Sequence, residues 1–412
     1  MNKFDVIIIG GGAAGLCSAV LLKRKLPQLH ILIIEANDRV GKKLIVTGNG
    51  RCNITNRYLG PASYFGNHSE FSKTALEKYG FSFTEEFFGS LGIPFTEGEE
   101  GKMYPYSLKA SSVVDALRME ANTLHIDIIC GSMAEKITYI NNEYAVTVNG
   151  DIYNAKNIIV ATGGLAGGEN LGCNTSGYKL LTDLGFTLVA PKPSIVQLKT
   201  ETEKIKALSG IKMNSQVTLL ADNKKVRSET GELLFTKYGI SGPPVMQISR
   251  GVHLSKNVTV KINFLPEYQY NELVDFLINR IKLLKSRSCE FFFTGMLPKM
   301  LGLTILKLSG INPSDSVENL SQKDCRLIAD NLYSFTLKVT GTNGMTNAQV
   351  TAGGIDTSHF NGVTMESKKY KNLYAVGEVL DIDGDCGGYN LQWAWSSAAA
   401  AAEGIAGTYD FN

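Results

Sequence analysis

The sequence has no apolar run of the roughly 18 or more residues that a membrane-spanning helix needs. After Met1-Asn2-Lys3-Phe4-Asp5 the apolar stretch lasts only from Val6 to Ile9, which is too short for a signal peptide. Cysteine is sparse and its pattern suggests no pairing. Cys17, Cys52, Cys130, Cys173, Cys289, Cys325 and Cys386 are odd in number and widely spaced, with no C-x-x-C among them. That argues against a disulfide framework and against a zinc site. The five histidines are scattered, so no metal is expected, and a reducing cytoplasm is the default setting. Charge of one sign is also lacking. Lys and Arg number 41 against 39 Asp and Glu, a net +2, with no basic stripe interleaved with aromatics. That balance predicts no nucleic-acid partner and no membrane partner.

What is present is the texture of a large soluble α/β protein. The 412 residues suggest two or three domains, and 44% apolar content is ordinary for a globular chain. Phe4 to Ile9 reads as a parallel strand buried on both faces. Ala13 to Lys25 has helical composition and stops before Pro27, and Ile31 to Ile34 makes the next strand. Together they form a βαβ unit with a right-handed crossover. Residues 41 to 60 read as a loop and residues 70 to 125 as mostly helical. Lys136 to Tyr153 alternates as a hairpin, with Asn141-Asn142 and Asn149-Gly150 as turns. Asn157 to Val160 is another buried strand. Beyond Pro191 the pattern changes to strand-like runs such as Gln216 to Ala221, then to helical stretches between 268 and 335. Leu373 to Val376 returns to a buried strand, and a long helix starts near Tyr389. The simplest architecture is a discontinuous nucleotide-binding domain, 1–190 plus 338–412. Residues 191–337 are inserted into it, β-rich over 191–266 and helical over 267–337.

The strongest local signal is Gly10-Gly11-Gly12-Ala13-Ala14-Gly15, a G-x-G-x-x-G that follows a strand and opens a helix. Gly10 allows the tight turn, Gly12 the approach of a pyrophosphate, and Gly15 close helix–strand packing. The helix N-terminus offers free N–H groups to the phosphates. Glu35 lies 20 residues after Gly15, at the end of the next strand, where a carboxylate can accept both hydroxyls of an adenosine ribose. It disfavours a 2′-phosphate and hence NADP. No second unit of this kind follows Ala161-Thr162-Gly163-Gly164. The glycines of Leu165 to Asn170 continue no new strand, and no acidic residue closes one near Thr187 to Pro193. One dinucleotide site is therefore expected, with NAD(P)H at most a transient electron donor.

Three further segments bear on which dinucleotide this is. Leu373-Tyr374-Ala375-Val376-Gly377-Glu378-Val379-Leu380-Asp381 resembles the second FAD fingerprint of the glutathione-reductase and fumarate-reductase superfamily. That resemblance implies an acidic residue on the ribityl chain. Gly387-Gly388-Tyr389-Asn390-Leu391 opens a helix whose N-terminus would favour negative charge on a reduced flavin, although an Ala-rich packing helix explains it as well. Thr47-Gly48-Asn49-Gly50-Arg51-Cys52-Asn53 suits either a loop over the flavin or pyrophosphate, or a plain surface loop. Cys52 has no second cysteine nearby, so a positional role outweighs a redox one.

These residues carry a resemblance to the bacterial flavoprotein family that includes aminoacetone oxidase and the BaiN-type bile-acid reductases. It spans nearly the whole chain, through Lys42-Lys43, Gly231 to Thr236, Gly239 to Pro243, Ala348 to Gly354, Met365 to Lys368 and Gly377 to Ser397. Lys237 stands where family members commonly carry a His, so any role of that His does not transfer. The resemblance implies a glutathione-reductase-type FAD Rossmann domain with an inserted barrel-like region and a small helical region, and noncovalent FAD. The cofactor-binding candidates are Gly10, Gly12, Ala13, Ala14, Gly15, Glu35, Ala36, Lys43, Thr47, Gly48, Asn49, Arg51, Cys52, Asn53, Ala134, Thr162, Gly163, Gly377, Glu378, Asp381, Gly388, Tyr389, Asn390 and Leu391. Arg51 and Tyr389 double as catalytic candidates, because their loops should lie near the flavin. The expected activity is hydride transfer between flavin N5 and a small organic substrate at the junction of the FAD domain and the insertion. Reduction of an activated C=C bond, as in a dehydro-bile acid, is favoured over O2-dependent oxidation of a small amine such as aminoacetone. A flavin-containing RNA-binding or RNA-modifying protein is the alternative from another class. The oligomeric state is left open.

Overall fold

In the computed structural model, which describes residues 2–409, the β-branched run near the N-terminus forms the strand Asn2–Ile9, with Val6, Ile7 and Ile8 fully buried. Such a strand needs cover on both faces and neighbours on both edges. Ile31–Ile34 pairs with it in parallel on one side and Asp151–Val160 in parallel on the other. Asp127–Ile129 extends the sheet beyond Ile31–Ile34, again in parallel. The C-terminal strand Leu373–Ala375 joins Asp151–Val160, so segments far apart in sequence share one sheet.

Asp151–Val160 does two jobs. Its first half pairs antiparallel with Glu143–Val148, and its second half pairs in parallel with Leu373–Ala375. The expected hairpin and the expected buried strand at Asn157 to Val160 are therefore one continuous meander, Ala134–Ile140, Glu143–Val148 and Asp151–Val160. Both turns are tight because Asn141, Asn142, Asn149 and Gly150 all take positive φ, the backbone that matches the twist of two-residue hairpins. Residues 70 to 125 are less helical than expected. Helices Lys73–Lys78, Phe81–Ser90 and Ala110–Thr123 are interrupted by an antiparallel sheet of Thr55–Asn56, Lys102–Pro105 and Phe95–Glu97. Strands this short carry too few residues for a period of two to register.

The chain divides into two compact units, Met1–Pro193 with Met345–Asn412, and Ser194–Gly344. The second is a closed barrel of six strands, in order Leu198–Thr200, Gly239–Ser241, Lys224–Phe235, Lys212–Ala221, Val258–Asn263 and Phe335–Thr342. Helices Tyr270–Leu284, Lys299–Leu308 and Gln322–Tyr333 share its apolar core, which includes Val217, Leu219, Val260, Ile262 and Phe335. Two expected boundaries are corrected. A division at 337/338 would cut Phe335–Thr342, which the barrel needs to pair with both Val258–Asn263 and Leu198–Thr200. A division at 190/191 would cut Leu188–Ser194, which pairs with Val350–Ile355 of the first unit.

The longest barrel hairpin turns at Asp222-Asn223, with φ of 49° and 62°. Asn223→Val should lower unfolding stability by about 1–2 kcal/mol, since a β-branched residue resists left-handed backbone, whereas Asn223→Gly should not. Chemical denaturation of the two variants checks this, and an equal loss in both would rule out the turn as the cause.

Candidate functional site

The carboxyl ends of Asn2–Ile9, Asp151–Val160 and Leu373–Ala375 lie side by side, and in an open parallel sheet that is where a ligand crevice forms. The three glycine-bearing segments follow directly from these strands. Gly10 has φ of 107°, and a Cβ there would lie 2.5 Å from the Ala161 carbonyl oxygen. A Cβ on Gly15 would lie on top of the Gly10 carbonyl. A Cβ on Gly377 would meet the Ala14 methyl at 3.1 Å. The G-x-G-x-x-G turn, the Ala161-Thr162 segment and the Gly377-Glu378 segment therefore meet at backbone distance, although they come from three regions of the chain.

Gly12 behaves differently. Nothing lies within 4 Å of a Cβ placed there, so its side-chain position opens onto free space. It is also the N-cap of helix Ala13–Lys25, supplies no side-chain cap, and is followed by no acidic residue in the first turn. The first N–H groups of that helix thus lack the side-chain acceptor a capped helix has, while Lys23, Arg24 and Lys25 stabilise its other end. An anion at the N-terminus completes this arrangement.

Glu35 is only 7% exposed. Its Oε2 accepts the Gly11 N–H at 2.7 Å, and its Oε1 accepts the Asn37 backbone N–H at 2.8 Å and Asn37 Nδ2 at 2.7 Å. The carboxylate therefore ties the glycine turn to the end of the second strand, and about one of its four acceptor sites is left over. Ala36 beside it is exposed, and Ala134 is buried at the head of its strand. Lys43 and Glu378, both cofactor candidates, contact each other: Lys43 Nζ lies 2.6 Å from Glu378 Oε2, while Glu378 Oε1 accepts the Thr351 N–H at 2.8 Å. Thr351 was not among the candidates. Its hydroxyl also accepts the Leu165 and Ala166 N–H groups, holding the loop that follows Gly163-Gly164. Its only trace in the sequence is its place within Ala348 to Gly354. That loop borders a cleft of about 480 Å³ lined in part by Leu165, Glu169, Cys173, Asn174 and Thr346. Partial burial pushes the Cys173 thiol up, Lys43 lowers it and Glu378 raises it, so the ion pair lies within electrostatic reach of the cleft.

The Thr47–Asn53 segment is a tight, left-handed loop. Gly48, Asn49, Gly50 and Cys52 all have φ between 55° and 80°, a strained arrangement of the kind found at ligand sites. Thr47 donates to the Leu44 carbonyl. Cys52 is fully buried, and burial pushes its thiol up to about 12, so it stays protonated at neutral pH. Arg51 is exposed, with its guanidinium carbon 5.1 Å from the Tyr104 ring centre and Nε directed at the Gly48 carbonyl. Tyr389 reaches the same region, donating its hydroxyl to the Tyr58 carbonyl at 3.3 Å. Gly388 packs against the Thr55 carbonyl and the side-chain oxygen of Asn53, and Asn390 is held by both backbone groups of Gly384. Leu391 is partly buried. Asp381 is 2% exposed and accepts the Asn67 N–H at 2.9 Å, so it is placed inside the protein rather than on an open wall.

The residues fit an FAD. The helix N-terminus is uncapped, and Gly12 leaves open space where a side chain would stand. Asn53 Oδ1 and Thr162 Oγ1 are buried without a hydrogen-bond partner, the state that a bound polar group relieves. Among the described residues no group of His, Cys, Asp and Glu is placed to hold a metal ion. No helix is long and apolar enough to cross a membrane.

A Rossmann crevice built from both ends of the chain and carrying an inserted barrel is that of an FAD-dependent oxidoreductase. The chain belongs to the family described as HI0933-like protein Rossmann domain, whose match runs from residue 4 to 404. It is 36% identical over 410 residues to the 3-dehydro-bile acid delta(4,6)-reductase of Clostridium scindens, covering 98% of this chain and 99% of that protein. It is 34% identical over 413 residues to the ribosomal RNA dihydrouridine synthase of Haemophilus influenzae, covering 97% and 98%. In fold it is similar to the 3-ketosteroid delta1-dehydrogenase of Sterolibacterium denitrificans, with a TM-score of 0.51 and 11% identity over 99% of this chain and 100% of that one.

Two glycines separate folding from cofactor binding. Gly15→Val should destabilise the protein by about 3 kcal/mol, the upper end for overpacking, because the new atoms overlap the Gly10 carbonyl. Gly12→Val should fold with a near-normal melting temperature yet retain no flavin. Melting curves and flavin absorbance of the two proteins check this, and a folded Gly12→Val with full flavin content would place the pyrophosphate elsewhere.

Proposed function

We propose that this protein reduces a C=C bond conjugated to a carbonyl in a cyclic substrate, using noncovalently bound FAD. The observation that carries the reading is the full-length relationship to a reductase acting on a 3-dehydro-bile acid. FAD supplies the two-electron hydride chemistry when bound. The chain's own contribution is to hold the cofactor and substrate and to handle one proton. Gly12, the helix behind it and Glu35 would hold the adenosine diphosphate part, and the Gly377–Leu391 segment would hold the flavin side.

Saturating a conjugated C=C bond places hydride on the β-carbon and a proton on the α-carbon. Tyr389 suits the proton. Burial is the main cause that pushes its phenol above the ordinary range, so it carries its proton throughout the neutral range. Its hydroxyl also has a hydrogen bond with the Ser63 side chain, and its donation to the Tyr58 carbonyl is long, at 3.3 Å, so a substrate can displace it at small cost. Arg51 suits the carbonyl: its stack on Tyr104 fixes the guanidinium plane while leaving N–H groups for an oxygen acceptor. NAD(P)H would reach the flavin as a visitor to the substrate space, because Glu169–Leu171 is a single helical turn rather than the start of a second βαβ unit.

A second reading keeps the chemistry and changes the substrate. Uracil also presents a ring C=C bond conjugated to a carbonyl, and the Haemophilus influenzae relative is a dihydrouridine synthase. The reaction class is common to both readings, and the molecule that delivers the ring differs.

The purified protein should release about one FAD per chain on acid denaturation. Its dithionite-reduced flavin, held anaerobically, should be reoxidised by 4-en-3-one or 4,6-dien-3-one steroids, or by uridine-containing RNA. Reoxidation by none of these, with rapid anaerobic reduction of the oxidised flavin by aminoacetone, would replace the reading with amine oxidation. In stopped flow, NADH or NADPH should reduce the flavin slowly and in competition with a substrate analogue. Tight, saturable reduction that the analogue leaves untouched would reveal a separate nicotinamide site.

A further inference from the structure

The near-neutral charge of the whole chain hides a strong segregation. Residues 194–344 carry 20 Lys and Arg against 13 Asp and Glu, a net +7. The rest of the chain carries 21 against 26, a net −5. The barrel unit is therefore a basic module inserted into an acidic one.

Part of that charge is gathered on one outer face of the barrel. Neighbouring strands place Lys261 beside Thr218 and Thr336, and Lys338 beside Thr259. Lys204 reaches the same place, with its Nζ 3.3 Å from the Thr336 carbonyl oxygen. Lys204, Thr336, Lys338 and Thr340 are exposed, and Lys261 is half-exposed. The Lys261 ammonium lies over the Tyr333 ring, 5.4 Å from its centre, and Tyr270 packs edge-to-face with the same ring. Glu201 is the carboxylate paired with this face, 3.9 Å from Lys338 with both side chains well exposed, so the pair is weak and easily exchanged. The residues between the lysines are threonines, which give a flat, hydroxyl-bearing surface with no large apolar side chain to enter a bilayer.

We propose that this barrel face docks RNA. Its lysines would meet the phosphate backbone, and its threonine hydroxyls would donate to phosphate or ribose oxygens. Charge complementarity carries the proposal. The choice of RNA as the polyanion rests on the second reading of the function, in which the reduced ring is uracil. Docking through backbone phosphates leaves sequence selection to the ring that is reduced.

The test is fluorescence anisotropy of the full-length, FAD-loaded protein with a labelled uridine-rich single-stranded RNA of about 20 nucleotides, over a range of salt concentrations. Wild type should bind with an affinity that falls steeply with salt. K204E/K261E/K338E should bind at least about tenfold more weakly, and its log–log salt slope should be shallower by about 2, at roughly 0.7 per lysine on a single strand. Flavin content and melting temperature confirm that the variant is folded. K204E/K338E, which changes only exposed lysines, stands in should the triple variant not fold. Wild type that shows no salt-sensitive binding at low salt would overturn the proposal, as would a variant that binds like wild type. Retention on heparin without RNA binding would also overturn RNA as the occupant. Binding is read by anisotropy and uracil reduction by flavin reoxidation, so loss of the second leaves the first measured on its own.

Discussion

The backbone-to-backbone approach of Gly15 to the Gly10 carbonyl sets the geometry of the whole crevice. That contact brings helix Ala13–Lys25 so close to the end of the first strand that no side chain fits between them. The helix then points its uncapped N-terminus across the ends of three parallel strands. Its consequences extend to Gly377, which stacks on the Ala14 methyl because helix and strand are already that close. Ser397 Oγ donates to the Trp393 carbonyl one turn earlier, at 2.7 Å. The same oxygen accepts the Gly377 N–H at 2.9 Å, and Trp393 Nε1 donates to the Gly377 carbonyl at 3.1 Å. The C-terminal helix thus fixes both backbone groups of the glycine that begins the second nucleotide element.

The same constraint explains why distant residues behave as one site. Lys43 and Glu378 are 335 residues apart, yet they form a charge-assisted pair at 2.6 Å. Both are about a quarter exposed, so solvent screens them and their contribution to stability is modest. Their value lies in placement. Glu378 is held from the other side by the Thr351 N–H, and Thr351 holds the loop after Gly164, so one carboxylate links three segments around the crevice. Glu35 does the same for the first nucleotide element, accepting from Gly11 and Asn37. In each case the carboxylate organises backbone as well as offering an acceptor to a ligand.

How much of this could be read from the sequence follows from the range of each interaction. The βαβ unit, the Asn141-Asn142 turn and the long helix from Tyr389 depend on neighbours within a few residues, and they appear where the residue pattern places them. The FAD-dependent class was also legible, because its two fingerprints are local segments, each with its own composition. The domain limits were not, because the strand Phe335–Thr342 belongs to the barrel through partners some 75 and 140 residues earlier, and nothing in its own composition says so. Thr351 was missed for the same reason. A threonine in a glycine-rich strand looks ordinary until Leu165, Ala166 and Glu378 are brought to it by the fold.

Charge gives the clearest case of a quantity that misleads when summed over the chain. A net +2 over 412 residues argues against a polyanionic partner only if the charges are mixed in space. Electrostatic attraction decays over about 8–10 Å at physiological salt, so a ligand responds to the unit it approaches and not to the whole chain. Once the chain is divided at Ser194 and Gly344, the two signs separate. The division itself depends on long-range strand pairing that no local pattern carries. Barrel closure through Phe335–Thr342 decides which lysines share a surface, since it is that strand that sets Lys338 beside Thr259, and Thr336 beside both Lys261 and the reach of Lys204. The topology that corrects the domain boundary is therefore also what turns dispersed basic residues into a single basic face.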